Sequence, residues 1–112
     1  MLRQYRNFRL KRFEAKVKAE RVGSLETMVR DVAAMAAALS EQIAAEEGRT
    51  KVVDTRRPDY SIVALNASAR RAKLVASLVE LRASLDTAKC EQVAAEAELR
   101  DLELALATAG EI

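Results

Sequence analysis

The chain has 112 residues, of which half are apolar but only 4% are aromatic, and it contains neither tryptophan nor histidine. Alanine, leucine, arginine and glutamate dominate, which is typical of long helices and coiled coils and not of a thick globular core. Histidine is the commonest general base and metal ligand, and no glycine-rich phosphate loop is present. We therefore expect no catalytic residue, no cofactor site and no metal site, and we expect that the chain is not an enzyme.

The formal net charge is only +2, and the single cysteine is Cys90. One cysteine cannot form an internal disulfide, and an unpaired thiol fits a reducing cytoplasm. No apolar run is long enough to cross a bilayer, so we expect no membrane insertion.

Two long helices of similar length are predicted, with one loop between them. Helix 1 should run over about residues 2–47, where Gly48 stands at the position of a C-terminal cap glycine. The loop should cover about 48–58 and contains the chain's only proline, Pro58. Helix 2 should cover about 59–108, with Pro58 tolerated at its start. The expected fold is all-α: one domain, 1–112, forming a long two-helix antiparallel coiled-coil hairpin.

A regular heptad seam runs along helix 2, with apolar positions that step alternately by four and three. Its members are Tyr60, Ala64, Ala67, Arg71, Leu74, Leu78, Leu81, Leu85, Ala88, Gln92, Ala95, Leu99, Leu102 and Leu106.

The heptad pattern of helix 1 is less regular. One predicted stripe consists of Leu25, Met28, Val32, Met35 and Leu39, widened by Val22, Val29, Ala36 and Ile43. An earlier stripe of Leu10, Phe13 and Val17 is out of phase with it. The two stripes predict a stutter and a soft point near residues 21–25, where Gly23 also lowers helix stability.

The distribution of charge predicts which way the helices pair. Residues 1–22 carry eight basic and two acidic side chains, whereas residues 23–48 carry one basic and five acidic ones. Residues 60–89 carry five basic and two acidic side chains, whereas 90–112 carry one basic and six acidic ones. Antiparallel pairing places opposite charges together, and parallel pairing places like charges together, so antiparallel pairing is favoured.

Two segments resemble the FliJ-type flagellar export proteins of alpha-proteobacteria. The first is "LRQYRNFRLKRFEAKVKAERVGSLETMV", with Leu10, Lys11, Arg12 and Phe13 as the Leu-Lys-Arg-Phe element. The second is "RPDYSIVALNASARRAKL", with Pro58 and Tyr60 opening the second helix and Arg70 and Arg71 following. The resemblance spans nearly the whole chain in pattern.

The resemblance implies a cytoplasmic coiled-coil component of the flagellar type III protein export apparatus, located in part at the flagellar base. Members of the family act as a stalk: the end that bears both termini enters the ring of the export ATPase and stimulates it. They also contact the cytoplasmic domain of the export gate and are linked to export chaperones. Carried onto this chain, the ATPase-binding end comprises Arg6, Arg9, Lys11, Arg12 and Phe13. The alternative for these cations is that they solvate helix 1 and balance the acids of helix 2.

The opposite end of the hairpin is the second candidate surface, formed by Tyr60, Ile62, Val63 and Leu65. Tyrosine is a favoured interface anchor, so this apolar tip is expected to contact a partner such as the export gate. The alternative is that Tyr60 is the first seam residue and packs on Glu47 or Ile43.

Other functions fit parts of the sequence. A homo-oligomeric structural coiled coil or a generic helical chaperone, including a homodimer, would use the alanine-rich and off-seam apolar positions to form a four-helix bundle. A nucleic-acid-binding coiled coil would use the basic N-terminal segment. The low net charge and the acidic neighbouring helix argue against that role, so we expect no nucleic acid partner.

Overall fold

The computed structural model describes residues 2–110, which form two α-helices. Helix α1 spans Leu2–Thr50 and helix α2 spans Ile62–Thr108. Residues 51–61 form the loop between them, and residues 2–110 contain no β-strand. The predicted all-α helical hairpin is confirmed.

The chain divides into two compact units, and both helices contribute to each. The turn unit is Thr27–Arg82 and contains the loop. The terminal unit combines Met1–Glu26 with Ala83–Ile112, of which residues 2–26 and 83–110 are described.

Helix α1 ends three residues later than the sequence predicts, because Gly48 does not cap it. The left-handed residue that ends the helix is Lys51, with a φ of 59°. Its amide donates to the Glu47 carbonyl at 2.8 Å, and the Thr50 hydroxyl donates to the Glu46 carbonyl at 3.1 Å. The turn at Lys51 leads directly to the buried Val52, so packing of the next residue fixes where the helix stops.

Helix α2 begins at Ile62, later than predicted, and Ser61 is its N-cap. The Ser61 hydroxyl accepts a hydrogen bond from the Ala64 amide at 3.2 Å and donates one to the Glu46 carboxylate at 3.0 Å. Ser61 therefore satisfies an otherwise unpaired amide of the first turn and also links the two helices.

Pro58 lies in the loop and not in the first turn of α2. The Tyr60 amide donates to the Arg57 carbonyl at 3.2 Å, which places Pro58 at the second position of a β-turn, where its fixed φ is favourable. A preceding turn closes from the Arg57 amide to the Asp54 carbonyl at 3.2 Å. Proline therefore shapes the loop between the helices, and it neither ends α1 nor starts α2.

The predicted seam of α1 is correct at seven positions between Val22 and Ile43, which are buried or half-buried, and wrong at its N-terminal part and at the two methionines. Leu10, Phe13 and Val17 are 54%, 63% and 42% exposed, and Met28 and Met35 are about half exposed. One set of buried and half-buried positions instead steps by three and four without interruption along α1, so the helix has no stutter. This set consists of Phe8, Lys11, Ala15, Lys18, Val22, Leu25, Val29, Val32, Ala36, Leu39 and Ile43. In the N-terminal part of α1 the prediction followed the largest apolar side chains and passed over Lys11, Ala15 and Lys18, which occupy seam positions.

The predicted seam of α2 is confirmed. Every predicted position is buried or half-buried except Arg71, which is exposed. The Arg71 guanidinium donates to the Ser40 hydroxyl of α1 at 2.6 Å, so this polar side chain still contacts the facing helix.

Two ion pairs in the terminal unit show the relative direction of α1 and α2. Lys11 Nζ lies 2.9 Å from Glu98 Oε2, and Lys18 Nζ lies 2.8 Å from Glu91 Oε2. A step of seven residues forward along α1 is thus matched by a step of seven residues backward along α2. The helices are antiparallel, and basic residues of α1 face acidic residues of α2 as the charge distribution predicts.

The corrected seam can be tested with two valines of α1 in the terminal unit. Val22 is 7% exposed and Val17 is 42% exposed. Replacing Val22 with alanine removes buried methyl groups, so we expect Val22→Ala to lower the free energy of unfolding by about 1.5 kcal/mol. Val17→Ala, the matched control, should change it by less than about 0.5 kcal/mol. Urea unfolding followed by circular dichroism measures both, and a larger loss for Val17→Ala would contradict the register.

Candidate partner-binding surfaces

The N-terminal part of α1 presents a face that points away from α2, here termed the outer face of α1. It carries exposed apolar side chains at helical spacing among exposed cations. Its members are Leu2, Arg3, Arg6, Arg9, Leu10, Phe13, Lys16 and Val17. Leu10, Phe13 and Val17 follow one another at intervals of three and four residues, which is the spacing with which a helix contacts another helix.

The cations predicted at the ATPase-binding end, taken together with Lys18, fall into two groups. Lys11 and Lys18 occupy seam positions and pair with the glutamates of α2. Hydrogen bonding to Glu98, with the nearby charge of Glu14, raises the pKa of Lys11, and Lys18 lowers the pKa of Glu91.

The second group comprises Arg6, Arg9 and Arg12, which form no ion pair with any residue in 2–110. Balancing the acids of α2 therefore describes the two lysines, whereas the three arginines are exposed to solvent.

Three of the five residues predicted at this end share the outer face: Arg6, Arg9 and Phe13. Arg12 is exposed beside it, whereas Lys11 lies in the seam and is engaged by Glu98. Sequence reasoning had placed Leu10 and Val17 in the seam, so it missed them as members of this surface. The heptad phase could have identified them as residues outside the seam, since Leu10 and Val17 are out of phase with Val22 and Leu25.

In the turn unit, Tyr60 is buried, with 7% of its surface exposed. It forms a small core with Val52 and Ala64, against which Ile43 packs. Its hydroxyl donates to Glu47 Oε2 at 2.8 Å. The structure thus shows the packing alternative for Tyr60, whose ring and hydroxyl both have partners within the turn unit.

The apolar surface at this end consists of Ile62, Val63 and Leu65, here termed the tip patch. They are 70%, 43% and 43% exposed. Val53 of the loop is also exposed, at 70%. The predicted contact of this end with a partner therefore depends on these aliphatic side chains and not on an exposed tyrosine ring.

The hydrogen bond to Glu47 raises the pKa of Tyr60, and burial of the ring adds to the shift. A tyrosinate could not donate this hydrogen bond and would repel the carboxylate. The contact therefore stabilises the fold only while the hydroxyl is protonated.

Within residues 2–110, neither helix contains a segment apolar and long enough to span a bilayer. The same residues contain no cluster of cysteine and acidic side chains that could hold a metal ion. Comparison with protein-family models, with curated proteins and with solved structures found no match to the chain.

The role of Tyr60 in the turn can be tested by Tyr60→Phe, which keeps the ring and removes the hydroxyl. At neutral pH we expect a lower urea midpoint than for the wild type, because Glu47 loses its donor. Since the pKa of Tyr60 is raised on folding, the contribution of the hydroxyl is fully present below about pH 10 and is lost as the pH rises through the folded-state pKa. The difference in urea midpoint between Tyr60→Phe and the wild type should therefore disappear at alkaline pH.

The matched control is Tyr5→Phe, because Tyr5 is 53% exposed. It should leave the midpoint unchanged at both pH values. Equal midpoints for Tyr60→Phe and wild type at neutral pH would show that the contact with Glu47 does not stabilise the turn.

Proposed function

We propose that the chain is a non-enzymatic coiled-coil component of the flagellar type III export apparatus, acting in the cytoplasm and at the flagellar base. In this proposal it is a stalk that binds the ring of the export ATPase and stimulates it. The proposal rests on the resemblance to FliJ-type proteins and on one structural observation: the outer face of α1 combines arginines that have no ion pair in residues 2–110 with exposed Leu10, Phe13 and Val17.

The chemistry of this face fits a protein surface that is acidic and partly apolar. Unpaired arginines attract carboxylates and can bind them through two hydrogen bonds at once. Phe13 and its aliphatic neighbours would bury apolar area in the same contact. A phosphate backbone could use the arginines but would leave the apolar side chains in water, so the combination favours a protein partner over a nucleic acid.

The end with the loop would contact a second partner through the tip patch. Ile62, Val63 and Leu65 form an exposed aliphatic surface, and in the proposed role they bind the cytoplasmic domain of the export gate or an export chaperone. This second contact depends on the same resemblance to FliJ-type proteins.

The ATPase contact is tested with the triple variant Arg6→Glu, Arg9→Glu and Arg12→Glu. None of the three arginines pairs with a residue of α2 among the described residues, so the fold should persist. We expect the variant to bind the purified export ATPase of the same organism at least about tenfold more weakly than the wild type, with loss of ATPase stimulation. Binding is measured by titration, ATPase activity by phosphate release and helicity by circular dichroism.

A matched control changes the same number of charges elsewhere: Arg70→Glu, Lys73→Glu and Arg82→Glu, all exposed on α2 in the turn unit. This control should bind and stimulate as the wild type does. If the wild type does not bind the ATPase, or if the two triple variants lose binding equally, the proposed function is wrong.

A further inference from the structure

Helix α2 carries a second heptad stripe in the terminal unit, on the side away from α1. Each of its members lies two residues before a member of the seam, which is about 200° around the helix axis at 3.6 residues per turn. The stripe, here termed the outer stripe of α2, consists of Ala83, Asp86, Cys90, Val93, Ala97, Arg100 and Leu104. Its steps alternate between three and four, as in the seam.

The outer stripe is open to solvent. Val93 and Leu104 are 64% and 67% exposed, and the other members are exposed except Ala97, which is half-buried. Apolar side chains at seven-residue spacing on both sides of a helix are typical of a helix that packs against two neighbours. In this unit α1 covers only the seam side of α2. The outer stripe therefore has the spacing of a helix–helix interface, but no other helix among residues 2–110 packs against it.

The two charged members of the stripe indicate what that partner is. Asp86 lies seven residues before Val93, and Arg100 lies seven residues after it. A second α2 that runs antiparallel, related by a two-fold axis at Val93, places each Asp86 opposite the Arg100 of the other copy. A parallel arrangement would place aspartate against aspartate and arginine against arginine. The stripe is therefore complementary to itself in the antiparallel direction only.

Charges along one edge of the stripe follow the same symmetry. Lys89 lies four residues before Val93 and Glu96 lies three residues after it, so the same axis brings Lys89 near the Glu96 of the other copy. Among the described residues, Asp86, Lys89 and Arg100 form no ion pair. Glu96 accepts only a hydrogen bond from Gln92, at 3.0 Å. These charges are available to a second copy.

We propose that the outer stripe of α2 is a self-association surface, through which two copies of this chain pair antiparallel about a two-fold axis at Val93. The small residues between the charged ones allow the helices to approach closely, and the two Asp86–Arg100 pairs fix direction and register. The contact uses α2, whereas the proposed ATPase contact uses the outer face of α1, so either can fail without the other.

The register is tested by a charge swap, measured as the dimer dissociation constant of the full chain by sedimentation equilibrium. Asp86→Arg creates two like-charged contacts per dimer, and so does Arg100→Asp. We expect each to weaken the dimer by about tenfold. The double variant, Asp86→Arg with Arg100→Asp, restores opposite charges and should return the constant to the wild-type value. Glu41→Arg, an equal charge change on α1 in the turn unit, should have no effect.

Crosslinking locates the axis. In a Cys90→Ser background, Val93→Cys should form an intermolecular disulfide on oxidation with diamide, because residue 93 of each copy lies at the axis. Two Cys90 residues would be offset by six residues, about 9 Å along the helices, which is beyond disulfide reach. The wild type should therefore crosslink at least about tenfold more slowly.

A wild type that stays monomeric at the highest concentration reached would overturn the proposal. So would a double variant that is no tighter than the single variants, since the stripe would then bind a different helix or a different register. Unchanged ATPase binding alongside either result would leave the proposed function standing.

Discussion

Two lysines occupy positions of the α1 seam where apolar side chains are expected, and each forms an ion pair with a glutamate of α2. Lys11 and Lys18 can sit there because a lysine lays its aliphatic stem along the seam while its ammonium group leaves it. Glu98 and Glu91 receive those ammonium groups at 2.9 and 2.8 Å. A helix pair buries little area, so these contacts favour one direction and one register over alternatives that apolar packing alone would leave close in free energy.

The same two lysines explain which parts of the fold could be predicted. The seam of α2 is apolar almost throughout, so its heptad phase can be found from sequence. The seam of α1 contains Lys11, Lys18 and small alanines, while larger side chains such as Phe13 lie on the outer face. Size and hydropathy therefore pointed to the wrong positions in the N-terminal part of α1, although they identified the seam from Val22 to Ile43. The polar members of the observed seam, Lys11 and Lys18, can be recognised only once their partners on α2 are known, and a single sequence does not show those partners.

The ends of the helices depend on contacts that are distant in sequence. Gly48 has the intrinsic preference for a helix end, but the burial of Val52 with Tyr60 and Ala64 places the end at Lys51. Tyrosine is a residue type that favours interfaces, but Tyr60 is buried and its hydroxyl donates a hydrogen bond to Glu47. In the terminal unit, pairing through one side of each helix leaves the opposite sides uncovered. Because each helix uses only one side for pairing, the outer face of α1 and the outer stripe of α2 remain exposed. A partner of this unit can bind at either surface.

The most direct measurement of the antiparallel pairing is a distance within one chain in the terminal unit. Spin labels at Asn7→Cys and Asp101→Cys, in a Cys90→Ser background and diluted with unlabelled protein, report the separation of exposed positions on α1 and α2. If Lys11 and Glu98 pair as described, double electron–electron resonance should give one narrow distance within about 25 Å, roughly two helix diameters. A separation on the order of 50 Å or more, which parallel helices with aligned starts would give at 1.5 Å per residue, would contradict the account.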